Sequence, residues 1–231
     1  MSVKVMILAA GRGERMRPLS DTVPKPLLEA GSKPLIVHLI EQLVRAGLPD
    51  MVINHSHLGE KISAYLGDGH RYGASIVYSH EAGGGLETGG GIFKALPLID
   101  SDPFVVVNGD IWTDFPFDRL PSRLEGLAHL VLVDNPPQHP AGDFSLRDGR
   151  VSDEGEPRLT FSGIGVYARG LFDGCHPGKF PLAPLLRDAM RQGKVSGEHY
   201  TGRWQDVGTP LRLEALDQEL RRQHNPPPER R

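Results

Sequence analysis

Gly11 and Gly13 stand two apart directly after an apolar run, and Arg12, Arg15 and Arg17 are interleaved with and follow them. Lys25 comes next, held between Pro24 and Pro26. Glycines let the backbone and its bare N–H groups approach a ligand. The arginines and the lysine add positive charge, and together they describe a cradle for a chain of phosphates, with Ala10, Gly11, Gly13 and Arg15 gripping it and Lys25 stabilising charge at the reacting phosphates. A second glycine-rich run, Glu87-Thr88-Gly89-Gly90-Gly91, could let a planar base lie against the backbone; closing a tight turn is its other use. Asn108-Gly109-Asp110 ends the apolar run Phe104-Val105-Val106-Val107, so Asp110 points out of a strand end. Mg²⁺ is held on nucleotides by one or two carboxylates with phosphate oxygens and water, which makes Asp110 a first metal ligand. Trp204-Gln205-Asp206-Val207-Gly208-Thr209 offers a second carboxylate. Asn108 could bond a sugar hydroxyl, and Asp143 could do the same or serve a turn.

These residues need elements to hold them. Residues 3–9 read as a strand buried on both faces. Leu35-Ile36, Leu39-Ile40 and Leu43-Val44 recur at helical spacing and Gly47 stops the run. Strands follow at 50–54, 75–78 and 104–107, with a helix at 57–66 and a short one through Ile92, Phe93 and Leu96 after the second glycine run. That alternation predicts an α/β fold, a Rossmann-like three-layer α/β/α sandwich with a mixed, mainly parallel central sheet. Open sheets of this kind bind ligands at the carboxyl ends of their strands, where the candidates fall. Later come a strand at 128–133, a hairpin turning at Asp148-Gly149, an extended run at 160–167, a helix at 184–191 and paired strands within 195–204. Thr209 as N-cap and Pro210 as first residue open a last helix. We expect one catalytic domain over 1–224, with a nucleotide half to about 112 and an acceptor half from about 113, and a flexible tail at 225–231.

Several chemistries are excluded. The third glycine of a dinucleotide fingerprint would fall on Met16, and no Gly-Lys-Ser/Thr closes a Walker A loop. No Gly-x-Ser-x-Gly occurs, and the 10 histidines contain no pair in a zinc-motif setting. Cys175 is the only cysteine, so no intrachain disulfide forms, in keeping with a reducing compartment. With 39% hydrophobic and 24% charged residues over 231 positions, the chain has the make-up of a folded globular protein. A formal net charge of −3 speaks against nucleic acid or an anionic membrane as a partner. The first residues show no secretory-leader pattern and no run is long enough to span a bilayer, so we expect a cytoplasmic location.

Taken together, the strand, Ala9-Ala10-Gly11-x-Gly13-x-Arg15, Met16-x-Pro18 and Pro24-Lys25-Pro26 resemble the sugar-1-phosphate nucleotidyltransferases, which join a nucleoside triphosphate to a sugar 1-phosphate. The likeness covers residues 3–220 and is strongest at 8–28, 86–110 and 204–210. It implies a GT-A-like fold, Mg²⁺ as cofactor, Asp206 as the second metal ligand, and contact between the nucleobase and Glu87, Thr88 and Gly89. The Glu-Lys-Pro motif that many members carry near the sugar is missing; Glu156-Pro157-Arg158 stands in that region and does not inherit its role. The runs at 86–98, 108–114, 127–136 and 194–200 resemble the branch that uridylylates a muramic acid 1-phosphate in cell-wall recycling. That implies UTP as donor. Mannose- or glucose-1-phosphate transferases using GTP, UTP or dTTP are the neighbouring alternative, and a nucleotide-binding module without catalysis is the alternative of another class. A muramic acid carries a lactyl carboxylate, for which Arg158, Lys179, Arg187 and Lys194 are unranked candidates.

Overall fold

The computed structural model describes residues 3–224, so the tail expected at 225–231 lies outside the described residues. In chain order the elements are β1 (Val5–Leu8), β2 (Glu29–Ala30), β3 (Lys33–Pro34), α1 (Leu35–Arg45), β4 (Asp50–His55), α2 (Gly59–Leu66), β5 (Ser75–His80), α3 (Glu87–Ala95) and β6 (Phe104–Asn108). There follow β7 (Ile111–Thr113), β8 (Ala128–Val133), β9 (Phe144–Arg147), β10 (Arg150–Ser152), β11 (Arg158–Tyr167), α4 (Ala183–Arg191), β12 (Val195–Tyr200), β13 (Trp204–Asp206) and α5 (Pro210–His224).

Nine strands form one sheet in the order β5-β4-β1-β6-β11-β8-β12-β10-β9. The first four are parallel, with Val5 opposite both Met51 and Val105. β11 runs antiparallel between β6 and β8, and β12 runs parallel to β8. The sheet is therefore mixed, parallel where the β-α-β units repeat.

Side chains alternate across the strands, which sorts the core into two layers. Val5, Ile7, Met51, Ile53, Val105 and Val107 face α1 and α2, meeting Ile36, Ile40, Leu43 and Ile62. Met6, Val52, Phe104, Val106, Leu130 and Leu132 face α3 and α4, meeting Ile92, Ala95, Leu186 and Ala189. The sandwich thus has helices on both faces, as the alternation predicts. A third cluster packs α5 through Leu213, Leu216 and Leu220 against Met16, Ala30, Trp112 and Val207. Gly31 N–H donates to Asp217 Oδ1 at 2.8 Å and fixes this helix on the β2–β3 hairpin.

The hairpin at Asp148-Gly149 forms as expected, both turn residues taking positive φ (50° and 74°). Thr209 caps α5, its Oγ1 accepting from Arg212 N–H. The β2–β3 hairpin is not evident in the sequence. Its turn is Gly31-Ser32 with φ 60° and 66°, and serine gives no sign of a left-handed conformation.

His38 on α1 ties that hairpin down, its Nε2 lying 2.8 Å from the Ala30 carbonyl oxygen. Burial, outweighing that backbone bond, holds the imidazole below its ordinary value of 6.5. The unfolded chain therefore takes up the proton first, and the stability from a neutral His38 is present above pH 6.5 and lost as pH falls below it. Urea unfolding should show a lower midpoint at pH 5.5 than at pH 7.5, with a smaller difference in His38→Gln; an unchanged difference would remove His38 from the pH response.

Candidate active site

At the carboxyl ends of β1, β4 and β6 opens a cleft of about 840 Å³, lined by residues 8–16, Lys25, Asn54, Glu81, 83–85, Glu87, Thr88, 108–110 and Gly208. Strand order explains its position. Because β1 lies between β4 and β6, the segments after β1 and after β6 leave the sheet side by side.

The segment after β1 is shaped by Gly13, whose φ of 65° suits glycine. Its carbonyl oxygen accepts from Ser20 Oγ–H at 2.7 Å. A Cβ at Gly13 would approach Lys25 Cβ to 3.2 Å, whereas one at Gly11 would meet nothing within 4 Å. Gly13 thus makes room for protein, and Gly11 leaves open space in the cleft. Arg12 and Arg15 line the cleft and have no carboxylate partner among the described residues. Arg17 instead pairs with Asp21 at 3.2 Å, outside the cleft lining.

Lys25 is 8% exposed, yet its ammonium reaches the cleft. Its Nζ lies 2.5 Å from Asp110 Oδ2. β7 pairs with β13, placing Asp206 opposite Ile111, and Val207 N–H donates to the Asp110 carbonyl at 3.0 Å. Asp206 is thereby set beside Asp110, although only its neighbour Gly208 is among the lining residues. Arg212, in the first turn of α5, holds Asp206 Oδ2 at 2.5 Å. No group of three or more metal-ligating side chains occurs among the described residues. Asp110 on the cleft wall and Asp206 on the neighbouring strand are still the donor type that suits a divalent ion whose other ligands would be phosphate oxygens and water.

Asn108 also lines the cleft. It packs on Gly163 (φ 81°) at the irregularity of β11 between Phe161 and Ile164, where a Cβ would come within 2.5 Å of Asn108 Nδ2. Asp143 lies outside the cleft lining. Its Oδ2 accepts from Phe161 N–H at 2.8 Å and its Oδ1 lies 3.0 Å from His139 Nε2. Of the four cations considered for a lactyl carboxylate, Lys179 alone lines the cleft, 3.7 Å from Glu87. Arg158 and Arg187 pair with Asp153, and Lys194 lines a separate hollow. Burial pushes the Cys175 thiol up, which suits an inert residue.

One expectation is corrected. Glu87–Gly91 is not a loop before a helix but the opening of α3 itself. Its glycines provide closeness rather than unusual φ. A Cβ would come within 2.6 Å of the Phe180 ring at Gly89, 2.2 Å of the Gly178 carbonyl oxygen at Gly90, and 2.7 Å of Glu81 Oε1 at Gly91. Glu87 and Thr88 reach the cleft from this first turn. Asn54 and Glu81, which sequence reasoning did not select, line the cleft; one is a polar residue near the end of β4 and the other a polar residue just after β5.

A family model described as Nucleotidyl transferase matches residues 4–146. This chain belongs to that family. It is 54% identical over 222 residues to N-acetylmuramate alpha-1-phosphate uridylyltransferase of Neisseria meningitidis serogroup B, covering 91% of this chain and 95% of that one. The Caulobacter vibrioides protein of the same name is 34% identical, over 89% of this chain and 91% of its own length. A solved inositol-1-phosphate CTP transferase from T. maritima superposes with a TM-score of 0.78 at 19% identity, covering 95% of each chain, which bears on the fold alone. Nucleotidyltransferases of this family generally use a divalent metal. Among the described residues no helix is long and apolar enough to cross a membrane.

The helical glycines lead to a test in which two effects oppose. Ala in place of Gly normally favours a helix by about 1 kcal/mol. At position 90 the added methyl would collide with a backbone carbonyl. Gly90→Ala should therefore lose about 1–3 kcal/mol in urea unfolding; a gain would mean that the segment at 178–180 moves aside freely.

Proposed function

We propose that this nucleotidyltransferase joins UTP to the 1-phosphate of N-acetylmuramic acid, releasing pyrophosphate. The observation that carries the transfer chemistry is the Lys25–Asp110 contact at 2.5 Å on the wall of a cleft bounded by Gly11 and Gly13 on one side and Glu87 and Thr88 on the other. It sets a cation and a metal-ligating carboxylate where a triphosphate would lie. The substrate pair is supported by the likeness to the two N-acetylmuramate alpha-1-phosphate uridylyltransferases.

The reaction is one displacement. An oxygen of the sugar 1-phosphate attacks the α-phosphorus, a P–O bond forms, and the bond to the bridging oxygen breaks as pyrophosphate leaves with the electron pair. The attacking oxygen is already anionic near neutral pH, so no general base is needed. Catalysis is positioning and charge neutralisation. The backbone at Ala10, Gly11 and Gly13 and the free guanidinium of Arg15 hold the triphosphate. Lys25 neutralises charge that builds on the reacting phosphates. Glu87, Thr88 and Gly89 border the base from the first turn of α3, and Asn108 faces the acceptor. Asp143 acts on the acceptor side by fixing the chain at 158–161 to the loop at 139–143. Residues up to about 112 supply the nucleotide side and those from about 113 the acceptor side of one domain. Asp110 and Asp206 would hold Mg²⁺, which when bound supplies Lewis-acid charge at the phosphates.

Pyrophosphate release with Mg²⁺, crossing UTP, GTP, dTTP and CTP against the 1-phosphates of N-acetylmuramate, N-acetylglucosamine, glucose and mannose, should peak at UTP with the muramate. A peak elsewhere would keep the mechanism and change the substrates, and silence throughout would overturn the transferase reading. Lys25→Ala and Arg15→Ala should each lower kcat by about 10²–10³-fold with the far-UV spectrum unchanged. Near-normal rates would remove that residue from the mechanism.

A further inference from the structure

Glu81 follows β5, is 2% exposed, and has no ion-pair partner among the described residues. A buried carboxylate of that kind is tolerated only where hydrogen bonds replace its water. Both of its oxygens are so engaged. Oε1 accepts from Asn54 Nδ2 at 2.7 Å, and Oε2 accepts from Leu86 N–H at 2.7 Å. Asn54, at the end of β4 and also 2% exposed, uses its own Oδ1 to accept from Ala9 N–H at 2.8 Å. The main chain of Glu81 is pinned too, its N–H to the His55 carbonyl at 2.8 Å and its carbonyl to Ser56 Oγ–H at 3.1 Å.

The partners at the two ends of this chain of bonds are informative. Ala9 leads directly into Ala10 and Gly11, and Leu86 directly into Glu87 and Thr88. A Cβ at Gly91 would come within 2.7 Å of Glu81 Oε1 and 3.0 Å of Asn54 Nδ2, so α3 has given up a side chain where it crosses the pair. We propose that Asn54 and Glu81 form a relay that sets the spacing between the phosphate-holding and base-holding segments, with Glu81 as a positioning residue for the nucleotide. This rests on the assignment above of those two segments to the two ends of a nucleoside triphosphate.

The relay has a donor order that can be reversed. In Glu81→Gln, one amide cannot accept from both Asn54 and Leu86, and turning Asn54 over would aim its own NH₂ at Ala9 N–H. In Asn54→Asp, two carboxylates face one another. In the double variant every bond returns. The carboxylate introduced at position 54 accepts both from Ala9 N–H and from the amide NH₂ introduced at position 81, and the oxygen of that amide accepts from Leu86 N–H. Each single variant should raise KM for UTP and Kd for UTP by calorimetry about tenfold, the scale of one buried bond lost, with KM for the sugar 1-phosphate within about twofold. The double variant should return both UTP values to within about threefold of wild type. A double variant as impaired as the singles, or singles that bind UTP normally, would overturn the relay. So would equal rises in both KM values, which a general loss of structure would give. If the single variants do not fold, the double variant decides alone: folded with normal UTP binding it supports the relay, and unfolded or weakly binding it overturns it. Failure of the functional reading looks different, since wild type itself would then bind neither UTP nor another nucleoside triphosphate.

Discussion

A buried ammonium group must have its counter-charge close by, and the Lys25–Asp110 pair meets that need across 85 residues of sequence. The Lys25 side chain is 9% exposed. Lys25 arrives on a short turn between two prolines that set its backbone, and Asp110 arrives at the end of β6. The two can meet because β1 and β6 are neighbours running the same way. A slip of one residue between those strands would send Val5, Ile7 and Val105 to the wrong layer. The registration that keeps the core apolar therefore also keeps the ion pair in place.

Around that pair the cleft is assembled from parts with separate tasks. Gly11 leaves open space while Gly13 yields space to Lys25, though both belong to one short motif. Arg12 and Arg15 have no carboxylate partner among the described residues, while Arg17 is neutralised by Asp21. Asp110 and Asp206 each touch a basic side chain, Lys25 and Arg212. Each carboxylate thus has its charge met by a cation of this chain.

Local grammar explains what the sequence made legible. The apolar run ending in Gly11 and Gly13, the Asp148-Gly149 turn and the Thr209-Pro210 helix start each follow from the preferences of one or two residues. The glycines of α3 did not, since glycine commonly breaks helices, and only the chain at 178–180 pressing on that face shows why they are there. For Asp143 the sequence offers sugar contact or a turn, and it does not announce the bonds its oxygens make to Phe161 N–H and His139, the first a partner 18 residues on. Asn54 and Glu81 were invisible because nothing in their own neighbourhoods says that two strand ends will abut. Contacts between distant segments decide these cases, and single-residue preferences do not report them.

The docking of α5 on the β2–β3 hairpin joins residues 186 positions apart, through Gly31 and Asp217. The same helix brings Arg212 onto Asp206, and the strand before it completes the small β7–β13 sheet beside Asp110. On a ribosome the parallel strands of the first half emerge well before α5, so the β2–β3 hairpin waits for its cover. Until α5 folds back, Met16, Ala30 and Trp112 lack the leucines that cover them, so the third apolar cluster is the last part of the core that the chain can close.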